Sequence, residues 1–306
     1  MTTPIDVLCV GDLDLDLMVM VNRLPGLDEK VSGKSSGLMP GGMSANAAVA
    51  LARLGKSVAL VACVGDDENG KFALASVAAE GVDITNVIVL PNTSTFTCLV
   101  MLTPPGEKAL IRIETPAYLP RVEHLYPALF SGVRHVHLTF GDPALTERAV
   151  AFAKANEATI SLDLEAADVT EEAEILIRVL ADVDILFVNR DGRRAAEDLL
   201  GAPLLTRLPG PGIIIFTLGA DGSRYMSTAE TFEAPAIKIN ALDTTGAGDC
   251  FAAAFIARYL EGASPQECLS FANAAAGLST AIVGAHAGMP YRARVETMLL
   301  EQGKSS

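Results

Sequence analysis

Residues 243–260 read Asp243-Thr244-Thr245-Gly246-Ala247-Gly248-Asp249-Cys250-Phe251 and then AAAFIARYL. Two glycines flank Ala247 at the entrance to an apolar run rich in small residues. Without side chains they permit a tight turn that presents successive backbone N–H groups. A helix start adds unpaired donors and a positive dipole end. The stretch therefore predicts an anion cradle that opens directly into a buried helix. Asp249 has two readings there. It is a first-turn carboxylate favoured by the helix dipole, or a base that accepts the proton of an attacking hydroxyl. The segment is not a Walker loop, because no Gly-Lys-Ser/Thr follows, and the dinucleotide pattern Gly-x-Gly-x-x-Gly is absent.

Upstream of this turn, short apolar runs at 5–10, 58–64, 133–138, 159–162, 185–188 and 213–218 read as strands. Helical patterns at 44–54, 69–80, 144–155, 171–181 and 193–200 alternate with them, and 247–260, 265–281 and 291–301 complete a helical final third. The rhythm predicts a mostly parallel α/β core with helices on both faces, one domain spanning 1–306. Two regions break it, 17–39 and 87–114. Extended candidates at 87–90, 95–102 and 109–113, with a Pro104-Pro105-Gly106 turn, look like hairpins. Both regions fall near the ends of early core strands, where ligands bind in open α/β sheets. They predict a small β lid; plain surface hairpins are the alternative.

The chain has 306 residues, with 23 Lys and Arg against 37 Asp and Glu, for a formal net charge of -14. Such a surface argues against nucleic-acid and anionic-membrane partners. The five cysteines, at 9, 63, 98, 250 and 268, show no metal-like spacing and fit a reduced, cytoplasmic protein. No secretion segment or bilayer-length apolar stretch is evident. His135 and His137 have no acidic or cysteine neighbour that would make a zinc site.

Near the amino end, Asp12, Asp14 and Asp16 alternate with leucines, so an extended backbone puts the carboxylates on one face. A calcium loop fails because Leu17 and Arg23 stand where Gly and Glu are needed. The remaining readings are a solvated face or a set of acceptors for sugar hydroxyls. Gly41-Gly42-Met43-Ser44-Ala45-Asn46 precedes the helix AAVALARLG. Its glycines permit close approach of a ligand or simply make a turn, and Asn46 offers an amide donor and acceptor.

Residues 243–249 and 41–46, in that order along the chain, resemble the two signatures of the ribokinase-like carbohydrate kinases, the PfkB family. The resemblance runs from about residue 5 to about residue 300. It implies a three-layer α/β/α domain with a β lid, and an ATP-dependent kinase acting on a small sugar or sugar derivative with Mg2+. Gly246, Ala247 and Gly248 would form the anion hole, and Asp249 would be the base. Asp14, Asp16, Gly41, Gly42 and Asn46 would face the acceptor; Arg112, read from its place on the expected lid strand and not from the resemblance, either faces the acceptor or braces the lid. Asn189, Thr217, Gly219, Gly222, Thr245, Gly248, Asn273 and His286 would surround the nucleotide. Asp243 and Thr245, with the loop at 281–284, resemble a monovalent-cation (K+) site, and lid-to-lid pairing implies a homodimer. One departure stands out: the family's Asn-x-x-Glu reads Asn189-Arg190-Asp191-Gly192 here, without the Glu. A purine nucleoside kinase, which would reuse the same anion hole, and a nonenzymatic sugar or nucleotide sensor are the alternatives.

Overall fold

The computed structural model describes residues 4–104, 108–169, 172–207 and 212–303. The strands are β1 (Val7–Val10), β2 (Asp14–Val21), β3 (Gly33–Gly41), β4 (Val58–Val61), β5 (Cys63–Gly65), β6 (Ile88–Leu90) and β7 (Thr97–Leu102). They continue as β8 (Lys108–Ile113), β9 (His135–Thr139), β10 (Thr159–Leu164), β11 (Ile185–Asn189), β12 (Ile213–Thr217), β13 (Ser223–Met226) and β14 (Thr231–Ala234). The helices are α1 (Met43–Arg53), α2 (Glu68–Ala79), α3 (Pro143–Ala155), α4 (Ala173–Leu180) and α5 (Arg190–Leu200). After them come α6 (Leu204–Arg207), α7 (Ala247–Tyr259), α8 (Pro265–Ser279), α9 (Ala285–Gly288) and α10 (Arg292–Gly303).

Eight strands form the central sheet in the order β14-β13-β12-β11-β10-β9-β1-β4. All pairings from β12 to β4 are parallel, and the β12–β13–β14 end is antiparallel. Parallel strands need both faces covered, which is why β1 and β4 are buried at every position. One apolar cluster joins the sheet to α1, α2, α7 and α8, where Ala and Cys allow close approach. A second joins the other face to α3, α4 and α5. This is the three-layer α/β/α arrangement. Order along the sheet reverses at β1, which pairs with both β4 and β9, and the carboxyl ends of strands at such a point are where open α/β sheets bind ligands.

A separate four-stranded sheet, order β3-β2-β7-β8, is the lid. Two antiparallel hairpins, β2–β3 and β7–β8, are joined by parallel pairing of β2 with β7. The expected lid segments need two corrections. β2 begins at Asp14 and β3 ends at Gly41, so the acidic alternation and the first signature glycine belong to the lid strands themselves. The run at 87–90 is not lid: β6 pairs in parallel with β5 in a two-stranded sheet of its own. In the turn expected at Pro104-Pro105-Gly106, Pro105 and Gly106 lie outside the described residues. The helix expected from 193 starts at Arg190, because Asn189 Oδ1 accepts from Gly192 N at 2.8 Å and caps α5 immediately after the strand.

Candidate active site

Gly246 is the N-cap of α7 with φ 75°, a left-handed conformation that glycine adopts without strain. A Cβ there would meet Ala285 Cβ at 2.9 Å, so α9 packs directly on the turn. Around a Cβ placed on Gly248, by contrast, no atom of the described residues beyond its own helical turn lies within 4 Å, leaving that approach unobstructed. The Ala247 amide bonds back to Thr244 O at 3.3 Å, and Cys250 N to Gly246 O at 2.9 Å. The amides of Gly246, Gly248 and Asp249 have no acceptor among the described residues. They are the free donors expected of a helix start that binds an anion.

Asp249 is buried beside these amides. Its Oδ2 accepts from Asn46 Nδ2 at 2.8 Å, which brings the two sequence signatures together. Burial pushes the Asp249 carboxyl well above the usual range; Asp163 adds to this, Asn46 opposes it, and Glu165 and Asp12 add again. Such a group holds a proton more readily than a surface Asp, as a base must at the moment of transfer.

The acceptor end is built from β2, β3 and α1. Asp12 is spent on scaffolding: its Oδ1 accepts from Ser44 N at 2.9 Å and its carbonyl from Ala45 N at 3.2 Å, capping α1. Gly42, at φ 95°, lies so close to this strand that a Cβ would meet Asp12 O at 2.8 Å. Asp14 and Asp16 converge over Gly41, where a Cβ would meet Asp14 Oδ1 at 2.5 Å and Asp16 Oδ2 at 2.8 Å. Asp14 Oδ1 and Asn46 Oδ1 are buried with no hydrogen-bond partner. Buried acceptors without donors are rare and call for a ligand that supplies them. Burial raises the Asp14 carboxyl well above the usual range, with Asp12 and Asp16 adding to it. Burial also raises Asp16, to about 6, against the opposing charge of Lys108.

Several residues at this cleft were not singled out in the sequence. Asp163, at the carboxyl end of β10, is pushed up to about 7 by burial, with Glu165 and Asp168 adding to it. Their signal was the acidic pattern Asp163-Leu164-Glu165 where a core strand ends, the place at which α/β sheets bind ligands. Phe96 and Tyr118 pack with ring centroids 4.6 Å apart and planes tilted by 44°, beneath the lid, and carry no local signature. Arg53, at the end of α1, donates to the His286 and Met289 carbonyls at 2.7 and 2.6 Å while paired with Glu80 at 2.7 Å. It straps the segment that covers Gly246.

The proposed nucleotide residues fare unevenly. Thr217 pairs with Asn189 and Ser223 at the end of β12. Gly219 and Gly222 have φ 60° and 95°, and a Cβ on Gly222 would meet Ala234 O at 2.1 Å, so both are needed for the turn itself. Asn189 spends its Oδ1 on capping α5. Asn273 is buried and donates to Ala234 O at 3.0 Å, fixing β14 to α8. His286 is buried with neither ring nitrogen partnered, and burial pushes it down to about 4, so it is neutral. Asp243 bridges two loops: Oδ1 accepts from Thr245 N and Oγ1 at 2.9 and 2.7 Å, and Oδ2 from Gly284 N at 2.9 Å. At the departure from Asn-x-x-Glu, a Cβ on Gly192 would meet Leu164 O at 2.6 Å. The glycine is required by the close approach of α5 to β10.

The parallel three-layer core, the lid over its strand ends and the glycine-opened helix with a buried carboxylate together define a phosphotransferase of the ribokinase-like class. Residues 4–292 match the model of the pfkB family carbohydrate kinases, and the chain belongs to that family. It is 31% identical to an ATP-dependent ribose-1-phosphate kinase of Halopiger xanaduensis, covering 91% of this chain and 93% of that one. It is 30% identical to the ribokinase of Bacillus subtilis, over 95% and 98% of the two chains. The structure of Arabidopsis thaliana ribokinase complexed with ribose and ATP superposes with a TM-score of 0.80 at 26% identity, over 97% and 99%. The chain is thus an ATP-dependent kinase of a small sugar- or nucleoside-like molecule.

Free amides beside an open Gly248 fit a nucleotide's phosphoryl oxygens. No group of three His, Cys, Asp or Glu among the described residues forms a metal cage. Magnesium bound with a nucleotide takes most of its ligands from phosphates and water. No helix among the described residues is long and apolar enough to cross a membrane.

Proposed function

We propose that the chain transfers the γ-phosphoryl group of ATP in line to a hydroxyl of a small sugar derivative, with Asp249 as the base. The observation that supports this reading is the 2.8 Å bond between Asn46 and Asp249, because it joins the Asp249 carboxyl to α1, the helix that follows the other signature. Asp14, Asp16 and the free oxygen of Asn46 would take the sugar's hydroxyl protons as hydrogen bonds, orienting one hydroxyl towards Asp249. Gly41 and Gly42 leave room for that approach. As the hydroxyl oxygen bonds to phosphorus, its proton passes to the Asp249 carboxylate and the bond to the ADP oxygen breaks. The free amides of Gly246 and Gly248 would hold the phosphoryl oxygens throughout, so charge is stabilised with little reorganisation, while the Ala247 amide shapes the turn through Thr244 O. Magnesium, when bound with the nucleotide, supplies further neutralisation of phosphate charge.

The turns around Thr217, Gly219 and Gly222 and the segment around His286 would flank the nucleotide, with Asn189 and Asn273 supporting that wall. A potassium ion beside Asp243 and Thr245 would further order the loop they share with Gly284. The reading as a purine nucleoside kinase would use the Phe96–Tyr118 pair for base stacking. Arg112 already covers the Tyr118 ring at 4.4 Å, which favours a sugar. A nonenzymatic sensor would leave Asp249 without a task. The outward lid face carries Leu17, Leu38, Leu99 and Ile111 in one row across all four strands, with Leu38 and Ile111 exposed. That row supports a homodimer formed lid to lid, which sedimentation would test.

The deciding assay is acceptor-dependent ADP release against neutral sugars, sugar phosphates, sugar acids and purine nucleosides, with magnesium and potassium varied separately. ADP release stimulated by one sugar class is expected. Release that no acceptor stimulates would count against the reading.

A further inference from the structure

Asp16, Cys98 and Arg112 stand in one register row across β2, β7 and β8. Paired residues in a sheet point to the same face, so Arg112 shares the inner, site-facing side of the lid with Asp16. Lys108 and Leu110 precede it at two-residue steps on that face. The guanidinium lies 4.4 Å from the centre of the Tyr118 ring and 5.7 Å from that of Phe96. Two aromatic faces hold the planar cation in place without using its N–H groups.

Arg112 makes no ion pair or hydrogen bond with the described residues. Carboxylates do face it across the cleft, because its charge acts on Asp12, Glu165 and Asp168. None comes within ion-pair distance. The result is an oriented fork of donors above a floor of acceptors formed by Asp14, Asp16 and Asn46 Oδ1. A neutral sugar would satisfy the floor and leave the fork bare. The complementary ligand is a polyol with hydroxyls at one end and an anion at the other, since Arg matches planar and tetrahedral oxyanions with paired N–H bonds.

We propose that Arg112 receives an anionic substituent of the acceptor, phosphate or carboxylate, so that the protein phosphorylates a sugar already carrying negative charge. This rests on the kinase reading above and narrows its acceptor. Lys108, on the same strand face, adds attraction without the fork. The competing role for Arg112 is a latch that closes the lid on Glu165 and Asp168, and the two roles differ in what a substitution does to selectivity.

The test compares kcat/KM for ribose, ribose 1-phosphate and a hexonic sugar acid in the wild type, Arg112→Gln and Arg112→Lys. The wild type is expected to prefer at least one anionic acceptor over ribose. Arg112→Gln should cut that anionic-to-neutral ratio by about 10- to 100-fold, as loss of a charged hydrogen-bond pair does. Arg112→Lys should restore part of it, and the arm most affected identifies phosphate or carboxylate as the group read. A wild type that prefers ribose, or a ratio unchanged in Arg112→Gln because all acceptors suffer alike, would overturn the proposal and leave the latch. Calorimetric titration with the same three sugars reads the subsite without turnover. If no acceptor is phosphorylated yet Arg112→Gln weakens binding of an anionic sugar, the subsite stands and the kinase reading falls. If binding is equal in both proteins, the subsite falls.

Discussion

The side-chain amide of Asn46 donates to Oδ2 of Asp249 at 2.8 Å, although 203 residues separate them in the chain. The bond spans α1 and α7, whose alanine-rich faces pack against each other in one apolar cluster. It lowers the proton affinity of a carboxyl that burial otherwise raises. Asn46 therefore both aims the carboxylate and opposes its protonation.

Replacing Asn46 with Ala removes the side-chain hydrogen bond that opposes the rise in Asp249. A base must be unprotonated to act, so activity is lost as pH falls through its pKa. The acid limb of kcat/KM should move to higher pH in Asn46→Ala, and kcat at neutral pH should fall about 10- to 100-fold. A pH–rate profile with an unmoved acid limb would show that the bond does not tune the base.

Gly192 occupies the place of the missing family Glu, and a Cβ there would strike Leu164 O. Gly192→Glu should lower stability by about 1–3 kcal/mol through overpacking, seen as a lower Tm, without sharpening the magnesium response. A stable variant with a stronger magnesium dependence would mean that α5 can retreat from β10.

Arg53 joins Glu80 to the carbonyls of His286 and Met289. Arg53→Met takes the guanidinium donors from Glu80 and the Met289 carbonyl, leaves the His286 carbonyl with the Met289 amide alone, and frees the segment that packs on Gly246. The expected outcome is a loss of about 1–3 kcal/mol in stability together with a higher KM for ATP than for the acceptor. Equal changes in both KM values would reduce Arg53 to general support.

Burial raises Asp163 to about 7 and Asp16 to about 6, while an unfolded Asp titrates near 3.8. Between these values the folded state binds more protons than the unfolded one. Their contribution is full below the unfolded pKa and declines as pH rises towards 7. Thermal unfolding should therefore show this contribution weakening from pH 5 to pH 8, and Asp163→Asn should flatten the slope. An unchanged slope in that variant would place the linkage elsewhere.

Much of this site was legible because its chemistry is local. Gly246 and Gly248 bracket one turn, and Asp14 and Asp16 reveal their shared face by alternation. The strand and helix rhythm likewise follows from which short segments are apolar. What the sequence hid depends on tertiary approach. Phe96, Tyr118 and Arg112 meet only when β8 aligns with β7, and Asp163 gains its raised proton affinity only from burial beside Glu165 and Asp168. The run at 87–90 has the same apolar character as a lid strand, and only the position of β5 directs it elsewhere. Only the folded chain discloses that Asn189 Oδ1 caps α5 and that Asn273 Nδ2 donates to Ala234 O.

The most direct measurement is single-turnover phosphoryl transfer by Asp249→Asn, with nucleotide and acceptor affinities determined in parallel. The variant keeps the shape and the hydrogen bond from Asn46 is replaced by an amide contact of similar size. The account predicts a loss on the order of 10³-fold or more in the transfer step with both affinities changed little. Transfer at close to the wild-type rate, with both ligands bound, would contradict it.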